Sequence, residues 1–181
     1  MLISLEQMRQ ELYCAVVCDA LDQVGLHHQS PRISIPRQSG SGLLVGRCKT
    51  TLWADMFHND PNPYELELKA VDDCQPDDVL IAAAGGSMRS GIWGELLTTA
   101  AKNRGCIGAI VDGAVRDVDK IQTAAFPLFF ADSDGVVVVP RKVELEVLRL
   151  ALAKVHGENK VRDAIRGGMT AVGAFEKFGI L

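Results

Sequence analysis

The adjacent pair Arg116-Asp117, in a loop that leaves a predicted strand, has the clearest chemical use in this 181-residue chain. An arginine fork suits a carboxylate or an enolate. An aspartate oxygen suits Mg²⁺, which takes one or two carboxylates and keeps several waters. Just ahead of Glu95 runs GGSMRSGIWG, residues 85–94, with four glycines in ten positions. Bare backbone at a helix start lets a small anion reach N–H groups that lack intrahelical partners and carry the positive end of the helix dipole. Gly91-Ile92-Trp93-Gly94 sits at that place, just ahead of Leu96 and Leu97, and suits a carboxylate or a small phosphate. The stretch has neither G-x-G-x-x-G nor G-K-[ST], so a nucleotide fits it poorly. Each residue also has a plainer reading. The glycines can serve a tight turn, Asp117 can cap a helix from Val118, and Asp112-Gly113 can be an ordinary turn. Arg116 can be one half of a surface ion pair, and Glu95 a favourable first-turn charge.

The elements that must hold these residues follow from periodicity. DDVLIAAA before the glycine stretch predicts a buried strand over 79–84, and IGAIV predicts another over 107–111. A helix from about Gly94 to Arg104, closed by Gly105, lies between them. If the two strands are parallel neighbours, their exit loops lie side by side at the carboxyl ends, where open α/β sheets bind ligands. Elsewhere the spacing predicts a helix over 4–24 capped by Ser4 with Gln7 at the capping-box position. It also predicts one or two strands within 42–54 and helices over 65–72, 118–125, 143–156 and 159–166. PLFFAD and GVVVVP read as strands, and TAVGAFEKFGIL as a final amphipathic piece. The alternation defines an α/β fold, with apolar strands covered on both faces.

Composition narrows the function classes. Apolar residues make up 48% of the chain, which suits one domain over residues 1–181 with a sizeable core. A net charge of −4 argues against a nucleic-acid surface. No apolar run approaches the ~20 residues of a membrane span, and the N-terminus lacks the pattern of a signal peptide. Five cysteines without a C-x-x-C pair read as reduced thiols of a cytoplasmic protein. His27, His28, His58 and His156 show no zinc spacing and read as solvated. Trp93 reads equally as a pocket wall or a core residue.

W-G-E-L-L at 93–97, Gly105, Gly108 and V-D-G-x-x-R-D at 111–117 together resemble the regulator of ribonuclease activity A-like family. CDALDQVG, DGVVVVPRK and RGGMTAVGAFEKFGIL are similar to it as well, so the resemblance spans most of the chain. It implies a swivelling β/β/α-type domain with helices packed on a central sheet. It further implies a homotrimer or dimer of trimers, active sites at subunit interfaces, and a divalent metal, Mg²⁺ or Mn²⁺. The enzymatic branch includes 4-hydroxy-4-methyl-2-oxoglutarate aldolase, which also decarboxylates oxaloacetate. By that resemblance Asp117 is the metal ligand and Arg116 polarises the substrate carbonyl and holds the pyruvate enolate. Glu95 orients a metal-bound water that exchanges a proton, and the backbone of 94–97 grips the pyruvyl carboxylate of a small 2-oxo acid.

The chain departs from the family in three places. The acid at position 95 is glutamate where aspartate is the familiar residue. Between Phe130 and Ala131 a few tens of residues of the family pattern are missing. The family also borrows an acidic side chain from a neighbouring subunit, for which Glu158 and Glu146 are the candidates. Candidate substrates are 4-hydroxy-4-methyl-2-oxoglutarate, 4-carboxy-4-hydroxy-2-oxoadipate and oxaloacetate. Arg89 or groups of a partner chain would discriminate among them. The competing reading is a non-enzymatic, protein-binding regulator of the ribonuclease-inhibitor type, a branch whose arginine is followed by a residue other than aspartate.

Overall fold

A computed structural model describes residues 3–32, 37–126 and 136–179. The expected strand over 127–132 and the Phe130–Ala131 junction lie outside the described residues. Backbone contacts divide the chain into two compact units, Ile33–Asp132 and a second made from Met1–Arg32 with Ser133–Leu181.

The central unit is an α/β structure, the class its strand and helix alternation predicts. β1 (Arg47–Leu52), β2 (Asp78–Ser87) and β3 (Gly108–Gly113) form a parallel sheet in the order β1-β2-β3. Ile81 is level with Thr50 on one side and Ile110 on the other. The helix α3 (Glu65–Asp72) connects β1 to β2, and α4 (Glu95–Asn103) connects β2 to β3. α5 (Val118–Thr123) follows β3. Leu80, Ala82 and Ala109 are fully buried and pack with Trp93, Ala101, Ile121 and Phe126. β2 and β3 are thus the apolar strands expected, whereas β1 is an edge strand that exposes most of its residues, with Leu52 91% exposed.

The terminal unit is helical. The single helix expected over 4–24 is two, α1 (Leu5–Glu11) and α2 (Cys14–Gln23), because Leu12 and Tyr13 adopt extended backbone. Ser4 caps α1 as expected, accepting from Gln7 N at 3.1 Å. The Gln7 side chain donates forward to Glu11 at 3.0 Å and does not turn back as a capping box would. The two helices expected over 143–156 and 159–166 are one, α6 (Glu144–Arg166), running through Gly157. α6 packs against α2 and α7 (Ala171–Phe178). Residues 136–140 form no strand; Val138 N donates to Gln29 O at 2.8 Å.

Candidate functional site

Two loops leave the carboxyl ends of β2 and β3 side by side and are zipped together by backbone hydrogen bonds. Ala114 N donates to Ser87 O at 2.9 Å and Ile92 N donates to Ala114 O at 3.0 Å. Trp93 and Val115 form a parallel bridge, and Arg116 N donates to Trp93 O at 2.9 Å. The sheet register makes this possible. Ala83 is level with Asp112, and Ser87 is level with Gly113, so three residues of β2 bulge out between them. Gly85 and Gly86 supply the bulge with φ of +61° and +74°. Asp112-Gly113 therefore ends a strand, not a turn.

The other two glycines keep space for side chains. A Cβ at Gly94 would stand 2.9 Å from Arg116 Cγ and 3.0 Å from Asp117 Oδ2, and one at Gly91 would stand 3.4 Å from Arg116 Cβ. The bare backbone ahead of α4 is thus covered by the Arg116-Asp117 pair. Gly94 is the N-cap of α4 and has no side chain to cap with. The N–H groups of Glu95, Leu96 and Leu97 belong to the first turn, which lacks intrahelical acceptors.

Asp117 occupies the N-cap position of α5, yet its side chain makes no cap hydrogen bond. Its backbone is left-handed, φ +57° and ψ +31°, a conformation that costs a non-glycine residue energy and gathers at functional sites. Its Oδ2 lies 3.3 Å from Arg116 Nε and 3.5 Å from Glu95 N, the latter long for a hydrogen bond. Its Oδ1 has no hydrogen-bond partner among the described residues. Arg116 keeps 69% of its side chain exposed, against 30% for Asp117. Glu95 is half-buried, and its Oε1 accepts from Thr99 Oγ1 at 2.9 Å one helical turn on. Leu97 packs on the core, whereas Leu96 is 79% exposed. The candidate residues Gly94, Glu95, Leu96, Leu97, Arg116 and Asp117 are therefore brought together at one helix start.

Other expectations resolve differently. Trp93 is fully buried, stacks on Phe126 and donates from Nε1 to Thr98 Oγ1 at 2.9 Å, so it belongs to the core. Glu158, in the helical unit, is held by the Tyr13 hydroxyl, which donates to it, and lies 3.9 Å from Lys154. Burial, then the hydrogen bond to Glu158, pushes the Tyr13 hydroxyl up to about 12. Glu146 is exposed on α6.

Two contributors escape a reading of the sequence. Thr99 is visible in retrospect as the i+4 neighbour of Glu95. Asp55, which accepts from Ser87 Oγ at 2.8 Å, carries no signal in its sequence surroundings.

A cation would meet a donor set of one kind here. No group of three or more His, Cys, Asp or Glu side chains is gathered for a metal among the described residues. A single open carboxylate oxygen on Asp117 suits a hard ion that keeps most of its waters, and does not suit zinc.

The RraA-like family model (Aldolase/RraA) matches residues 14–147, and the chain belongs to that family. Protein DlpA of Legionella pneumophila subsp. pneumophila is 25% identical over 214 aligned positions, covering 94% of this chain and 33% of its own length. A Halalkalibacterium halodurans protein named "Putative 4-hydroxy-4-methyl-2-oxoglutarate aldolase" is 27% identical over 142 positions, covering 60% of this chain and 68% of its own. The chain thus spans about a third of the first relative and two thirds of the second. Both alignments run longer than the stretch of this 181-residue chain they cover, so both relatives carry tens of residues without a counterpart here. Among solved structures, Streptomyces coelicolor RraAS2, described as an unusual member of the RNase ES inhibitor RraA protein family, superposes with a TM-score of 0.72. It is 21% identical, with 87% of this chain and 94% of that one covered, a likeness of fold alone. Among the described residues no helix is long and apolar enough to cross a membrane.

Proposed function

We propose that the chain is a divalent-metal-dependent lyase that cleaves a carbon–carbon bond in a 2-oxo acid through a pyruvate enolate. The carrying observation is that Arg116 and Asp117 lie directly on the bare backbone of Gly94, with the Asp117 carboxylate turned away from its capping position. A surface ion pair needs no glycine beneath it, and a helix cap would aim its oxygen at α5.

The residues divide the work. The first-turn N–H groups of α4 at 95–97 take the substrate carboxylate, where the helix dipole favours negative charge. The Arg116 guanidinium meets the 2-oxo oxygen and stabilises the charge that develops there. In aldol cleavage the C3–C4 bond breaks, its electron pair enters the enolate, and the C4 hydroxyl proton leaves. In oxaloacetate the same bond breaks and carbon dioxide departs. Glu95, steadied by Thr99, accepts or returns the proton through a water and completes pyruvate at C3. Asp117 would hold Mg²⁺ or Mn²⁺. When bound, such a cation supplies Lewis-acid charge beside the substrate oxygens. We take the assembly to be a homotrimer or a dimer of trimers.

The enolate can be tested without the full substrate. Pyruvate in heavy water with Mg²⁺ should exchange its methyl protons for deuterium in the presence of the protein, followed by NMR. Arg116→Ala should reduce the exchange to that of metal alone. A parent protein no faster than metal alone would remove this reading.

A further inference from the structure

We infer that Asp55, acting through the Ser87 hydroxyl, is a positioning residue for Arg116. This rests on the lyase reading of the site that Arg116 serves. The Arg116 side chain runs over the bare face of Gly91, where a Cβ would stand 3.4 Å from its Cβ and Cδ. Gly91 belongs to the loop 88–91, so the course of that loop sets where the arginine stem can lie. The loop is closed at its ends on Ala114, since Ser87 O accepts from Ala114 N at 2.9 Å and Ile92 N donates to Ala114 O at 3.0 Å. Between those ends, among the described residues, its one hydrogen bond is from Arg89 N to Ser87 Oγ at 3.3 Å.

That acceptor is itself held from outside the loop. Ser87 Oγ donates to Asp55, 2.8 Å from Oδ1 and 3.0 Å from Oδ2. With its hydrogen turned to the carboxylate, the hydroxyl presents its lone pairs to the Arg89 N–H. Asp55 is a fixed point because it lies two residues beyond Trp53, whose N–H donates to Ala83 O at 2.9 Å and whose side chain packs on the core. The same carboxylate lies 3.9 Å from Arg89 Nε, and the Arg89 guanidinium stands 5.6 Å over the Phe57 ring. The segment after β1 therefore grips the loop after β2 through both the backbone and the side chain of Arg89. Ser87 joins three strand ends, its carbonyl holding the segment after β3 and its hydroxyl holding the other two. The contacts run in series from the end of β1 through Asp55, Ser87 and the loop to Gly91, and so to the Arg116 stem.

Methyl-proton exchange of pyruvate in heavy water with Mg²⁺ reads this role. Asp55→Ala should lower the maximal rate about tenfold, because small displacements of a catalytic group are costly. The half-saturating pyruvate concentration should change little, since Arg116 acts on charge that develops in the reaction. Ser87→Ala should match that loss, and the double variant should fall no further. Asp55→Asn keeps a carbonyl to accept from Ser87 and should restore most of the parental rate. Circular dichroism should be the same for all four variants. Asp55→Ala at the parental rate, Asp55→Asn as slow as Asp55→Ala, or losses that add in the double variant would each overturn the positioning role. In any of those cases, exchange by the parent that Arg116→Ala abolishes still supports the lyase reading. A parent no faster than metal alone removes both.

Discussion

Gly94 and Arg116 approach so closely that a Cβ on the glycine would stand 2.9 Å from Arg116 Cγ. The glycine backbone is extended, φ −153° and ψ −172°, which any residue can adopt. Its lack of a side chain is therefore required by the neighbour and not by the backbone. Gly94→Ala should push Arg116 and Asp117 off the start of α4. Overpacking of this kind costs about 1–3 kcal/mol, and a displacement near 1 Å can cost about 100-fold in rate. Thermal melting should show a folded variant, and pyruvate release should fall about 100-fold. A variant at parental rate would mean that the pair does not act where it stands.

The left-handed backbone of Asp117 separates strain from charge. Asparagine tolerates this conformation nearly as well as aspartate, whereas alanine does not. Asp117→Asn should match the parent in stability to within about 0.5 kcal/mol, and Asp117→Ala should be about 1 kcal/mol less stable. Both should lose Mg²⁺ binding in calorimetry. Unchanged Mg²⁺ affinity in either variant would show that the metal, if bound, is held elsewhere.

Trp93 and Thr98 make a buried pair in the core behind the site, with the indole N–H donating to the threonine hydroxyl at 2.9 Å. Thr98→Val keeps the shape and removes the acceptor. The stranded donor should cost about 1–3 kcal/mol in urea unfolding, and Thr98→Ser should recover most of it. A valine variant as stable as the parent would mean the indole has found another acceptor.

Tyr13 gives a pH signature in the helical unit. Its hydroxyl is raised from 10.0 to about 12 in the folded chain, first by burial and then by Glu158. The folded state holds this proton more tightly than the unfolded state. The stabilisation is thus complete below pH 10 and is lost as pH rises toward 12. Tyr13→Phe should lose stability less steeply over that window, measured by urea unfolding at several pH values. Equal slopes for parent and variant would show that Tyr13 titrates normally.

What the chain discloses of its own structure depends on how local the cause is. The bounds of α3 and the cap at Ser4 were legible because a turn signal or a hydroxyl beside the helix start sets them. The parallel pairing of β2 with β3 was legible because a helix lies between two apolar runs. The break between α1 and α2 was not. Leu12 and Tyr13 continue the apolar spacing, and the partner of the Tyr13 hydroxyl, Glu158, is 145 residues away. Gly157 suggests a boundary by propensity, at about 1 kcal/mol against alanine, but α6 runs through it while packed on α2 and α7. In the site, the parallel pairing was enough to place the loops after β2 and β3 side by side. That Asp117 would decline to cap α5, and that Trp93 would face the core, depends on packing and left no local trace.

The central claim is tested most directly by pyruvate release from oxaloacetate and from 4-hydroxy-4-methyl-2-oxoglutarate, with Mg²⁺, with Mn²⁺ and with EDTA. Metal without protein and Arg116→Ala belong in the same run, because free metal also breaks down oxaloacetate. The account predicts metal-dependent release by the parent that falls to the metal-only rate in Arg116→Ala and with EDTA. Release no faster than metal alone would contradict it and leave a protein-binding regulator as the reading to pursue.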